Sequence, residues 1–185
     1  MRRIAAILAA VAALPAAAGA QTARPQPPPS SPQILFRDLI AGDTRGTTRG
    51  IRSGLRARRL FVQPDVLFAD LTGDGKPDAI ARVSTGGAQG DVAVYVFSVD
   101  GVKPDAQGKA QLRAIYRNQA LYRASARVTD ATLFVRSAQY REGNEPCCPS
   151  QLLERTLTWS ARVQRLVLRS SRRLDVPVQA VGTTR

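Results

Sequence analysis

This chain has no histidine. Ser-His-Asp and Cys-His catalysis, His-ligated zinc and His-based pH switching are therefore excluded, although carboxylate-based hydrolysis is not. Cysteine is nearly absent too. Cys147 and Cys148 are the only two, adjacent in the chain, and without CxxC spacing thioredoxin-like exchange is disfavoured. Aromatic residues make up only 5% of the sequence, too few to stack on successive bases, which weighs against nucleic acid as a partner. No segment reaches the roughly twenty apolar residues of a membrane span. No self-similarity at a period of about forty residues appears either, against a propeller or solenoid.

What is present begins with an export signal. Met1-Arg2-Arg3 is a short positive region, Ile4 to Ala18 is almost wholly apolar, and Ala18-Gly19-Ala20 offers small residues to a signal peptidase. Residues 1–20 are expected to be cleaved before Gln21, leaving a secreted or periplasmic chain without a membrane span. Ile4-Ala5-Ala6 after the arginine pair favours the general secretory route over twin-arginine export. No Cys follows the cleavage site to take a lipid. Residues 21–33, rich in Pro, Gln and Ser, read as an extended linker. Residues 34–170 are expected to form one β-rich domain, and 171–185 a basic flexible tail.

The formal charge is +13, and almost all of it is Arg. Arg45, Arg49, Arg52, Arg56, Arg58 and Arg59 make the most basic stretch, read as a basic loop or an Arg-rich strand, and are candidate anion-binding residues. Two explanations compete. Exported basic proteins meet anionic envelope polymers and lipid headgroups. Arginines also simply solvate strand faces.

From Phe61 onward the pattern is β. Val66–Ala69, Ala79–Val83 and Val92–Phe97 are short apolar runs separated by Gly/Asp turns. Tyr122–Val128 and Leu153–Trp159 alternate apolar with polar residues, as half-buried strands do. The expected class is mainly β (α+β), with seven or eight short antiparallel strands and at most one or two short helices. The earliest helix candidate is the Ile34–Ile40 stretch. A monomer is expected.

The sharpest local motif is Asp70-Leu71-Thr72-Gly73-Asp74-Gly75-Lys76-Pro77-Asp78. Side-chain oxygens at Asp70, Thr72, Asp74 and Asp78, with the Lys76 carbonyl, provide alternate ligands of the kind calcium takes, and the glycines allow left-handed turns. Thr72 stands where such loops prefer Asp or Asn, and Ala81 stands where an EF-hand has Glu. The alternative is an Asx-rich turn that binds no ion.

This loop resembles those of FG-GAP/VCBS-type repeats, which bind calcium between strands and occur in several copies, whereas one copy is found here. The loop, then Cys147-Cys148-Pro149-Ser150, then Leu157-Thr158-Trp159, is similar in order to LppP/LprE-type envelope lipoproteins over roughly residues 60–170. The chain departs from them in lacking a lipidation cysteine and a cysteine near Thr85-Gly86-Gly87. The resemblance implies an envelope location more than an activity.

Three states are open to Cys147 and Cys148: a vicinal disulfide, two reduced thiols, or a disulfide between copies. The expectation for the whole is an exported, non-enzymatic β-rich protein, with calcium held at 70–78 as its only cofactor. The first rival is a basic binding module for anionic envelope polymers, lipid headgroups or nucleic acid. A hydrolase using Asp70, Asp74 or Asp78 with a metal-bound water ranks last, because no second carboxylate-rich motif supports it.

Overall fold

The computed structural model describes residues 31–99, 111–141 and 149–176. Residues 1–20, expected to be a signal, most of the Pro-rich stretch, the Cys147–Cys148 pair and the end of the expected tail lie outside the described residues.

The chain opens with two short helices. α1 (Ser31–Gly42) starts inside the stretch read as linker, with Pro32 in its first turn, where a missing N–H costs nothing. Gln33, Phe36, Ile40 and Ala41 form its buried stripe, and the Gln33 amide donates to the Val62 carbonyl. α2 (Arg49–Arg56) corrects the expectation of a basic loop or strand. Ile51 and Leu55, four residues apart, face inward, Arg49 and Arg56 are exposed, and Arg52 is half-buried between the two sides. Its glycines mimic a turn in the sequence. Gly54 is there for space, since a Cβ would lie 2.6 Å from the Leu60 side chain.

Nine antiparallel strands follow among the described residues, in two sheets. The first sheet holds β1 (Phe61–Val62), β2 (Leu67–Ala69), β3 (Asp78–Ser84), β4 (Asp91–Ser98) and β5 (Arg113–Gln119). Its order is β1-β3-β4-β5, with β2 also on β3. The second sheet holds β6 (Ser125–Thr129), β7 (Thr132–Gln139), β8 (Gln151–Ser160) and β9 (Arg165–Asp175), in that order. The mainly β class with two short helices is as expected. β9, however, runs on to Asp175, so Ser171–Asp175 is strand rather than tail, paired with β8 as far as Gln151↔Asp175.

The layers are helices, first sheet, second sheet. Ala79, Ala81, Val83, Ala93, Tyr95 and Phe97 turn one face of the first sheet to Phe36, Ile40, Ile51 and Leu55 of the helices. The alternate residues Ile80, Val94 and Val96, with Ile115, turn the other face to Leu133, Val135, Leu157 and Leu166 of the second sheet. β3 and β4 are thus buried on both sides, which is why they read as continuous apolar runs. The β6–β7 hairpin turns on Asp130 and Ala131, both left-handed (φ 49° and 56°), the geometry of a two-residue turn that follows strand twist.

Candidate anion-binding face and the aspartate loop

The second sheet has one face against the core, and no other described element covers the opposite one. Register places Arg136 of β7 beside Glu154 of β8, and Glu154 beside Arg172 of β9. The three make one row across three strands. Arg136 Nε donates to Glu154 Oε2 at 2.5 Å, and Arg172 donates to Glu154 Oε1 at 2.7–2.8 Å. Arg127 of β6 approaches Glu154 Oε2 at 3.6 Å, with its guanidinium 3.8 Å from the centre of the Phe134 ring.

Glu154 is only 1% exposed, yet the three arginines around it reach solvent. Desolvation pushes the Glu154 carboxyl up. The hydrogen bonds and charges of Arg136 and Arg172 outweigh it and hold the group below the usual carboxylate range. One buried anion therefore fixes two guanidinium groups, both through Nε, with Arg127 in ion-pair range beside them, and the cluster keeps a surplus of positive charge. Arg169 extends the basic surface along β9, where its Nε donates to Thr158 Oγ1 at 2.7 Å. Planar guanidinium groups held side by side suit phosphate and carboxylate oxygens.

An open cleft of about 450 Å³ separates β5 from the start of β9, lined by Arg113, Ile115, Tyr116, Arg117, Arg165 and Leu166. Arg113 bridges it to the Gln164 carbonyl at 2.8 Å. Arg117 is committed elsewhere, to Asp43 at 2.9 Å, and so ties the α1–α2 connection to β5. Burial pushes the Tyr95 hydroxyl up to about 12, so it stays protonated at ordinary pH.

The arginines singled out in the sequence lie elsewhere. Arg49, Arg52 and Arg56 are on α2, Arg45 precedes that helix, and Arg58 and Arg59 follow it. Arg56 donates to the Ala41 carbonyl at the end of α1. These six sit in the helical layer, on the far side of the first sheet from the Glu154 cluster. The structure does not bring the two basic groups together.

The aspartate loop joins β2 to β3 and is tied to itself. Asp70 Oδ1 accepts from Gly73 N at 2.6 Å and Oδ2 from Gly75 N at 2.9 Å. Asp74 Oδ1 accepts from Lys76 N at 2.9 Å. Asp78, buried at the start of β3, accepts from Leu71 N at 2.8 Å and Thr72 N at 3.0 Å through one oxygen. Gly73 and Gly75 are left-handed, at φ 77° and 78°. Desolvation raises the Asp70 carboxyl, but the Gly73, Gly75 and Asp74 backbone N–H groups outweigh it and leave the carboxyl below its ordinary range. Among the described residues no group of three or more acidic, Cys or His side chains converges as a metal site. As placed, the carboxylates of 70–78 do not form a calcium cage. Cys147 and Cys148, the third set of candidates, lie outside the described residues.

Comparison with models of protein families, with curated proteins and with solved structures returns no match.

Glu154, Arg136 and Arg172 were not singled out in the sequence. The alternation through Leu153–Trp159 does place Glu154 on the polar side of its strand. Only the register between strands places it among three arginines.

Proposed function

We propose that this chain is an exported, non-enzymatic binding module for anionic envelope polymer, gripping repeated phosphate or carboxylate groups with the outer face of its second sheet. The observation that carries this reading is the row Arg136–Glu154–Arg172 with Arg127 beside it. Two solvent-reaching guanidinium groups are held by hydrogen bonds to one buried carboxylate, with a third in ion-pair range of it. The surplus charge lies on a face no other described element covers, and the formal charge of +13, or +11 without Arg2 and Arg3, adds a long-range attraction for polyanions. Heparin serves as the probe polyanion. The protein is expected to stay on a heparin column and elute at raised salt. The double substitution Arg127→Gln with Arg136→Gln is expected to lower the eluting salt, while Arg49→Gln with Arg52→Gln on α2 lowers it less. Equal losses from both pairs would make the attraction one of net charge alone and remove the face from the reading.

Calcium at 70–78 is the second reading. Its support is the spacing of Asp70, Thr72, Asp74 and Asp78 around two left-handed glycines. It ranks below the first because backbone N–H groups already engage all three carboxylates.

A further inference from the structure

We infer that the open edge of β9 is a docking strand for an acidic, extended segment of a partner protein, which would join the second sheet as a fifth strand. β9 ends the order β6-β7-β8-β9, and no described strand pairs with its far side. Its first residues, Arg165 and Leu166, lie across the cleft from β5. From Leu168 to Arg173 it is exposed on both faces of the sheet. At eleven residues β9 is long for an edge strand; its ladder with β8 is bulged once, between Thr156↔Ser170 and Leu157↔Leu168, and runs in unbroken register from Ser170 to Asp175.

The charge along this edge selects the occupant. β9 carries Arg165, Arg169, Arg172 and Arg173 against Asp175 alone. A second copy pairing antiparallel about Ser170 would set Leu168 opposite Arg172 and Val167 opposite Arg173, so a copy brings no carboxylate to either arginine, whereas an acidic strand does. Across the sheet, Arg136, Glu154 and Arg172 alternate in sign, each bonded to the next, and the row stops at the edge on a positive charge. Arg172 is 63% exposed there. A carboxylate at the next position of an added strand would bind Arg172 from outside, as Glu154 does from within. On the other face Leu168, 55% exposed and opposite Leu157, offers that strand an apolar contact beside the core. The partner is thus a β-forming segment of alternating acidic and apolar residues, held by backbone hydrogen bonds and selected by side chains.

The inference does not rest on polyanion binding, and its test is separate. The probe is a synthetic peptide of alternating Glu and Val, titrated into the full chain with a fluorescence-anisotropy readout. The Glu–Val peptide is expected to bind, and its Lys–Val counterpart is not. Methylating one alternate set of peptide amides is expected to abolish binding, because an edge strand bonds through every second residue, and methylating the other set to leave it. Arg172→Gln is expected to weaken binding by about tenfold, the loss of one charged hydrogen bond. Arg127→Gln, three strands from the edge, changes it by no more than about twofold. Circular dichroism of both variants checks that the fold is kept. Binding that survives methylation of either set, with equal losses in the two variants, would reduce the contact to charge on the open face and overturn docking. No binding of the Glu–Val peptide would overturn it too.

Discussion

The two sheets solve the same problem differently. The first is covered on both sides, so the middles of β3 and β4 are mostly apolar, and the charged Arg82 and Asp91 are paired with each other. The second is covered on one side. Its strands alternate, and the outward positions are free to hold Arg127, Arg136, Glu154 and Arg172. Burial on both faces gives a scaffold, and burial on one face gives a surface. Chemistry collects on the second sheet because only there can a strand spend half its residues on charge without losing its core.

Two neighbours on β7 separate the inner from the outer face most strongly. Leu133 is fully buried between the sheets and Phe134 lies on the outer face. Leu133→Ala is expected to cost about 3 kcal/mol, the lost transfer energy plus a cavity. Phe134→Ala is expected to cost about 1 kcal/mol, mostly its contact with Arg127. Urea denaturation with unchanged slope measures both. Equal costs would mean that the outer face is as buried as the inner one.

The next effect belongs to Glu154. Glu154→Gln is expected to cost about 2 kcal/mol, discounted because Arg136 and Arg172 reach solvent and can be hydrated when the anion is lost. The carboxyl is depressed in the folded chain, so it stabilises fully above its ordinary value of 4.5. That contribution is lost as pH falls through the lower folded value. Stability measured down through this window should decline in the parent protein and decline less in Glu154→Gln. Parallel declines would place the acid sensitivity on other carboxylates.

How far the sequence can be read follows from what each feature depends on. The strands of the first sheet are legible because two-sided burial writes itself as runs such as Val92–Phe97. The 70–78 turn is legible because its glycines and aspartates act locally. α2 is not, because Gly50 and Gly54 imitate a turn and only Ile51 and Leu55 mark a period. The β9 extension is not, because Ser170–Arg173 has no apolar alternation of its own and is strand only through its ladder with β8. The Glu154 cluster is least legible of all. Its members come from four strands, and a shift of one residue in register would separate them.

The loop at the rim of the first sheet holds a carboxylate by other means, and Asp78 tests them. Its single engaged oxygen takes the Leu71 and Thr72 N–H groups, not a guanidinium. Asp78→Ala is expected to cost about 1–2 kcal/mol by leaving those donors unpaired near the core. High salt should reduce the contribution of Glu154 and leave that of Asp78 nearly unchanged, since screening acts on exposed charges more than on buried hydrogen bonds. Equal salt sensitivity of the two variants would erase the distinction.

The smallest expected effect is that of calcium. Thermal melts in millimolar calcium and in chelator should superimpose. To take an ion, Asp70 would have to share oxygens that already accept from Gly73 and Gly75, while Asp74 has one oxygen committed to Lys76. Asp78 would have to turn out from a buried position. The surplus positive charge of the chain adds a long-range cost to any cation. A folded-state ligand at a hundredfold excess over its dissociation constant stabilises by about 2.7 kcal/mol, which a melt detects easily. A rise in melting temperature that Asp74→Ala abolishes would put calcium first. It would also show that the loop exchanges backbone donors for a metal, which Glu154, fixed by arginines, has no means to do.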